Sequence, residues 1–247
     1  MLDKAIAIRD HLKEKPLDPN YRPEDAIQGR RLINQKSDRL AVIFPWWHNK
    51  SIFYRYLVRR LARKGWAVLA YDFHDQILEP DEETVLRSMH FIQKQITWEL
   101  SLLTAKHQYK EVHFIGLSLG NVPLTLVADS FQDFTGATIV AGGDDLAKDM
   151  WHGLRTLYLR DEFKKEKINE TRLDKDWWDI APQNHVRRFA QKNVYFYMPL
   201  HDRFILTKYQ KRLAKAIEDV GAKVFIKKSQ FGHALSIARF CLLEPPY

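Results

Sequence analysis

Cysteine is almost absent. One residue, Cys241, stands among 247, so no internal disulfide and no Cys-rich zinc site can form, and a reducing, cytoplasmic setting is expected. Long apolar runs are missing as well. The opening stretch carries charges at Asp3, Lys4, Arg9 and Asp10, and nothing reaches signal-peptide or membrane-spanning length, so no integral membrane segment is expected. There is no internal repeat, no low-complexity segment and no His-x-x-x-His pair. Without convergent ligand spacing the expectation is no metal and no cofactor.

What is present is core-forming material. Apolar residues make up 45% of the chain and aromatics 13%, with seven Trp, a composition that can offset chain entropy and rules out intrinsic disorder. The net charge of +8 would matter for a polyanion partner if it were clustered. It is spread instead: Arg59, Arg60, Arg63 and Lys64 lie in one helical stretch, Lys164, Lys165 and Lys167 alternate with acids, and Lys208, Lys211, Arg212 and Lys215 line another. No nucleic-acid-binding motif accompanies them, so a solvated surface is the reading and no nucleic-acid partner is expected.

Short apolar runs alternate with helical stretches, the pattern of a mostly parallel α/β sheet flanked by helices. Strands are predicted at 40–44, 66–71, 111–115, 137–140, 193–198 and 222–226. A helix is predicted at about 82–106, where Val85, Met89, Ile92, Ile96, Leu100 and Leu103 recur at helical spacing behind an Asp81 cap. Another is predicted at about 207–219, capped by Thr207 and stopped by Gly221. Residues 1–39, with Pro16, Pro19, Pro23 and a weak strand candidate near 26–33, read as an N-terminal extension; residues 144–190 read as a helical cap inserted over the sheet edge. The strand order favours one domain over two.

The chemical signal is Gly116-Leu-Ser118-Leu-Gly120 between an apolar strand and an apolar helix. A serine on a sharp strand-to-helix turn needs small residues on either side, and the helix start turns backbone N–H groups towards an anion forming beside it. A serine hydroxyl needs a base, and the base needs an orienting carboxylate. Asp202 follows the fifth of these strands and His233 the sixth, at strand ends where side chains converge. Asp144 and Asp145 end another strand and are the alternative acids; His48, His74, His185 and His201 read as surface histidines, and Cys241 as a buried small hydrophobe.

From about residue 40 to 247 the sequence resembles the α/β-hydrolase superfamily of serine hydrolases, which includes esterase, lactonase, dienelactone-hydrolase-like and peptidase-like members. The resemblance is carried by the Gly116–Gly120 elbow, Asp72 ending a strand, Trp178-Asp-Ile-Ala-Pro182-Gln-Asn-His185, His201-Asp202-Arg203-Phe204-Ile205 and Gly232-His233. It implies an α/β-hydrolase fold in which Ser118 is the nucleophile, His233 the general base and Asp202 its acid. It also implies a serine hydrolase acting on a small-molecule carboxylic ester or related acyl bond. One departure stands out: where such proteins have His-Gly after the first of these strands, this chain has Pro45-Trp46-Trp47-His48. By position the N–H groups of Trp47 and Leu119 would form the oxyanion hole. Trp46 is expected in the wall of the substrate pocket, and Trp151, Trp177 and Trp178 either line that pocket or glue the cap to the sheet. The rival readings are a hydrolase fold weakened into a binding or regulatory protein, and an acyltransferase using an acceptor other than water. Oligomeric state is not legible.

Overall fold

The computed structural model describes residues 18, 20–47 and 51–243. Of the sequence expectations, His48 and residues 1–17 and 19 of the N-terminal extension lie outside these residues.

Seven strands form one sheet: β1 (Ile27–Ile33), β2 (Arg39–Phe44), β3 (Ala67–Phe73), β4 (Glu111–Leu117), β5 (Gly136–Val140), β6 (Asn193–Pro199) and β7 (Lys223–Ser229), in the spatial order β1-β3-β2-β4-β5-β6-β7. All pairings are parallel except β1, which runs antiparallel to β3. The central strands are apolar on both faces because helices cover both. Leu40, Val42 and Phe44 of β2 point into one core. There they meet α2 (Glu82–Lys106), α3 (Asn121–Ser130) and α7 (Thr207–Asp219). Ala41 and Ile43 point into the other, against α1 (Ile52–Arg63) and α8 (His233–Leu243). The period-two alternation along one strand thus feeds two separate layers.

Helix α2 forms for the reason its sequence suggests. Val85, Met89, Ile92, Ile96 and Leu100 are buried on one face, and the Asp81 carboxylate accepts from Glu83 N at 3.2 Å. Helix α7 also has its expected span, but its start differs: Thr207 does not cap it, because its hydroxyl donates to the carbonyls of Pro199 and Leu200 at 3.0 and 3.1 Å, tying the helix to the end of β6. Gly221 takes a φ of +90°, which lets the chain reverse from α7 into β7.

One expectation holds and one needs correction. The weak strand candidate near 26–33 forms the antiparallel edge strand β1, so that part of the extension belongs to the sheet. The helical segment after β5, made of α4 (Leu146–His152), α5 (Leu157–Lys165), α6 (Glu170–Asp176) and several short turns, does not lie over a sheet edge. It joins two interior strands, β5 and β6, and packs on the layer that contains α2. Trp177 anchors it there: its indole donates to the Glu82 carbonyl at 3.0 Å and meets Phe163 edge-on. No helix among the described residues is long and apolar enough to cross a membrane.

His113 lies fully buried in β4, its Nε2 2.9 Å from Thr138 Oγ1. Burial pushes its pKa down to about 3 from the ordinary 6.5. The unfolded chain therefore takes up a proton below pH 6.5 that the folded chain refuses, and stability falls as pH drops from 6.5 towards 3. Between pH 6.5 and 5 the loss from this residue is about 2 kcal/mol. His113→Gln, which does not titrate, is expected to flatten that part of the stability profile in urea unfolding at the two pH values.

Candidate active site

The chain passes from β2 to β3 on one side, then returns to place β4 on the other side of β2 and continues outward to β7. The loops leaving the carboxyl ends of β2 and β4 therefore diverge and open a crevice, the position where open α/β sheets bind ligands. The loop after β2 carries Trp46 and Trp47, and the turn after β4 carries Ser118.

Ser118 has a φ of +53°, in the left-handed region that costs a non-glycine residue about 1–3 kcal/mol. The surroundings hold it there. A Cβ on Gly116 would lie 2.8 Å from Leu124 Cδ1 and would collide with the Asn121 amide. The same amide donates to the carbonyls of Ser118 at 2.8 Å and Val140 at 3.2 Å, pinning the turn to the end of β5. A Cβ on Gly120 would come within 2.5 Å of the Pro45 carbonyl oxygen and 2.6 Å of the Phe44 carbonyl carbon. The elbow is thus packed directly on the backbone that leads into Trp46 and Trp47.

Three loops bring their side chains together. Ser118 Oγ is 2.8 Å from His233 Nε2, and His233 Nδ1 is 2.7 Å from Asp202 Oδ2. Phe204 N and Ile205 N donate to Asp202 Oδ1 at 2.8 and 3.0 Å, and Gln210 Nε2 donates to Oδ2 at 2.9 Å. With His233 that makes four donors, all that the two oxygens of an ionised carboxylate accept in this geometry. Gln210, fully buried, also donates to the Ile205 carbonyl at 2.8 Å and so fixes the acid loop to α7. No pattern in the sequence singles it out; it reads as one polar residue on the amphipathic helix.

The alternative acids do other work. Asp144 pairs with Arg212, with Oδ2 2.6 Å from Nε. Asp145 caps α4 and pairs with Lys148 at 2.6 Å, which also reaches Asp174 of α6 at 3.1 Å. Neither meets His233. His74 caps a short turn by accepting from Gln76 N, His185 hydrogen-bonds Asp129 and the Asp179 carbonyl, and His201 is exposed. Cys241 is buried beside Ile237 and Phe240, and burial pushes its thiol up to about 12. No group of three or more potential metal ligands converges among the described residues.

A cavity of about 230 Å3 opens over Ser118 and His233, lined mainly by apolar groups. Trp46, Trp47 and Leu119 are in its wall, as are Phe204 and Ile205 from the acid loop. Leu119 is the second residue of a helical turn, so its N–H has no acceptor within that turn. The Trp47 indole donates to the Asp75 carbonyl at 2.5 Å and its ring stacks at 14° on Tyr158. Trp151, Trp177 and Trp178 do not line the cavity. Trp177 is the anchor already described, Trp151 lies under the Lys164 ammonium, and Trp178 is 57% exposed. The part of the helical segment that does reach the cavity is Leu146 to Thr156, including two charged residues that composition alone could not place, Asp149 and Arg155. Burial, followed by the neighbouring Asp144, Asp145 and Asp202, holds the Asp149 carboxyl well above the usual carboxylate range.

No protein-family model and no curated protein matches the sequence. Solved structures do match in shape. An esterase of Pyrococcus furiosus superposes with a TM-score of 0.62 at 15% identity, over 92% of this chain and 90% of that one. Acylaminoacyl peptidase of Pyrococcus horikoshii gives 0.62 at 15% over 84% of this chain, which spans only 35% of the peptidase's length. A lipase/esterase from Lactobacillus plantarum gives 0.56 at 11%, over 79% and 78%. At these identities the likeness concerns the fold, and the fold is that of the α/β-hydrolases.

Gly120 has an ordinary helical φ of −60°, so alanine suits its backbone and only space is lacking. Gly120→Ala is expected to cost about 1–3 kcal/mol in urea unfolding, because the obstacle is backbone that cannot rotate away.

Proposed function

We propose that this protein is a serine hydrolase that cleaves a carboxylic ester or related acyl bond through an acyl-enzyme. The observation that carries the reading is the unbroken chain of contacts from Ser118 through His233 to Asp202, at the crevice end of an α/β-hydrolase sheet. A carboxylate only accepts, so the proton between Asp202 and His233 belongs to Nδ1, and Nε2 is left to accept from the Ser118 hydroxyl. As Oγ attacks the carbonyl carbon, Nε2 takes its proton and later returns it to the departing alcohol; water then repeats the sequence in reverse to free the acid. The developing oxyanion is held by the N–H groups of Leu119 and Trp47, both in the cavity wall beside Ser118.

The Trp46 that replaces the expected glycine gives this site its shape. Its ring stands edge-on to Tyr54 at 5.8 Å and also lines the cavity. With about 230 Å3 available, below the roughly 300–1,000 Å3 of sites for drug-sized ligands, the acyl group is short.

A fluorophosphonate probe is expected to label the protein, and Ser118→Ala to abolish labelling; adduct formation that survives the substitution would sink this mechanism. Asp202→Asn is expected to keep the fold but lower kcat by about four orders of magnitude, since the amide favours the wrong tautomer of His233.

A further inference from the structure

Arg155 is out of place in a small apolar cavity. It lines the same wall as Trp47, and its guanidinium carbon lies 5.6 Å from the centre of the Trp47 ring and 6.0 Å from that of Phe204. Its Nε is buried with no hydrogen-bond partner, and no carboxylate among the described residues forms an ion pair with it. Nearby cations are matched: Lys148 of α4 holds Asp145 and Asp174, and Arg212 of α7 holds Asp144. A guanidinium that is both desolvated and unpaired is costly unless something supplies the missing acceptor. The two aromatic rings limit its freedom and leave its rigid fork of N–H donors for a planar anion.

The other acid in the cavity does not fill that role. Asp149 Oδ1 is buried without a partner, and the carboxyl packs against Gly143, which has no side chain to displace it. Asp149 forms no ion pair with Arg155, and its burial works against a negative charge on the carboxyl.

We infer that Arg155 binds a carboxylate carried by the substrate, so that the esters cleaved here are monoanions with a free carboxylate on a short chain. The inference rests on the hydrolase reading above. The reaction is then ester plus water giving acid plus alcohol: the Ser118 Oγ–acyl bond forms as the ester C–O bond breaks, the alcohol leaves with the proton from His233, and water releases the acyl group. The carboxylate stays unreacted on whichever half of the ester carries it. A charge-assisted pair of this kind is worth about 10- to 100-fold in binding.

Two pairs of esters separate the two halves. Mono-para-nitrophenyl glutarate against para-nitrophenyl valerate places the carboxylate on the acyl side; para-acetoxybenzoate against its methyl ester places it on the leaving group. Wild-type protein is expected to favour the anion in one pair by at least about tenfold in kcat/KM. Arg155→Met should bring that ratio close to one, whatever it does to each rate alone, and Arg155→Gln serves if the Met variant does not fold. A wild-type ratio at or below one in both pairs, or a ratio that Arg155→Met leaves unchanged, overturns the inference.

Calorimetry keeps it separate from the chemistry. On Ser118→Ala protein the matching amides, glutaric acid monoanilide against valeranilide and para-acetamidobenzoate against its methyl ester, should show the same preference for the anion, lost when Arg155→Met is added. If that preference is found while no ester is turned over, the hydrolase reading fails and the carboxylate site stands. If the anionic and neutral amides bind alike, the carboxylate site fails on its own.

Discussion

The strained turn at Ser118 is the constraint on which the site depends. A left-handed serine persists only where its neighbours over-determine it, and here three glycines and one amide do so. Gly116 and Gly142 both leave room for Asn121, whose Nδ2 holds the Ser118 and Val140 carbonyls. Gly120 lets the elbow rest on the backbone of Phe44 and Pro45. Because that contact is backbone to glycine, the height of Ser118 above the sheet and the path of the Trp46–Trp47 loop are set by one packing event. Ser118 and the pocket wall are therefore not independent features.

Around this fixed point the polar groups are paired with care. Asp202 receives four hydrogen bonds, so it offers His233 a single orientation. Asp144 and Asp145, buried at the carboxyl end of β5, are matched by Arg212 and Lys148, which leaves them no role beside the imidazole. Against that background two charged side chains that line the cavity, Arg155 and Asp149, each have a buried polar atom without a partner. The +8 of the whole chain is mostly a solvated surface; the cation that lines the cavity is a single half-buried guanidinium, Arg155.

Much of this was legible beforehand, for physical reasons that can be named. Helix α2 announces itself because its apolar residues keep one period over 25 residues and Asp81 caps it. The central strands could be read because parallel strands are apolar throughout, and the convergence of Ser118, Asp202 and His233 because side chains at the strand ends gather at one place. The edge strand β1 was faint, since none of its residues is fully buried and Gly29 and charged Arg30 and Arg31 interrupt it. The role of the tryptophans was not legible at all. Trp177 is buried because its indole found the Glu82 carbonyl 95 residues away, and Trp178 beside it turns to solvent; no local pattern distinguishes an anchor from a pocket wall. Arg155 was hidden for the complementary reason, that one arginine among many carries no mark of being unpaired until the fold encloses it.

Gly153 joins the helical segment to the acid loop. A side chain there would meet the carbonyls of Phe204 and Asp149, and the next residue, Leu154, donates its N–H to the Arg203 carbonyl at 2.8 Å. The wall that ends in Arg155 and the loop that holds Asp202 are thereby welded into one mechanical part. Helices α5 and α6 lie beyond the weld and reach the site only through Tyr158 stacked on Trp47 and Asp174 paired with Lys148. Before it, a change in what the pocket accepts is also a change in how firmly His233 is held.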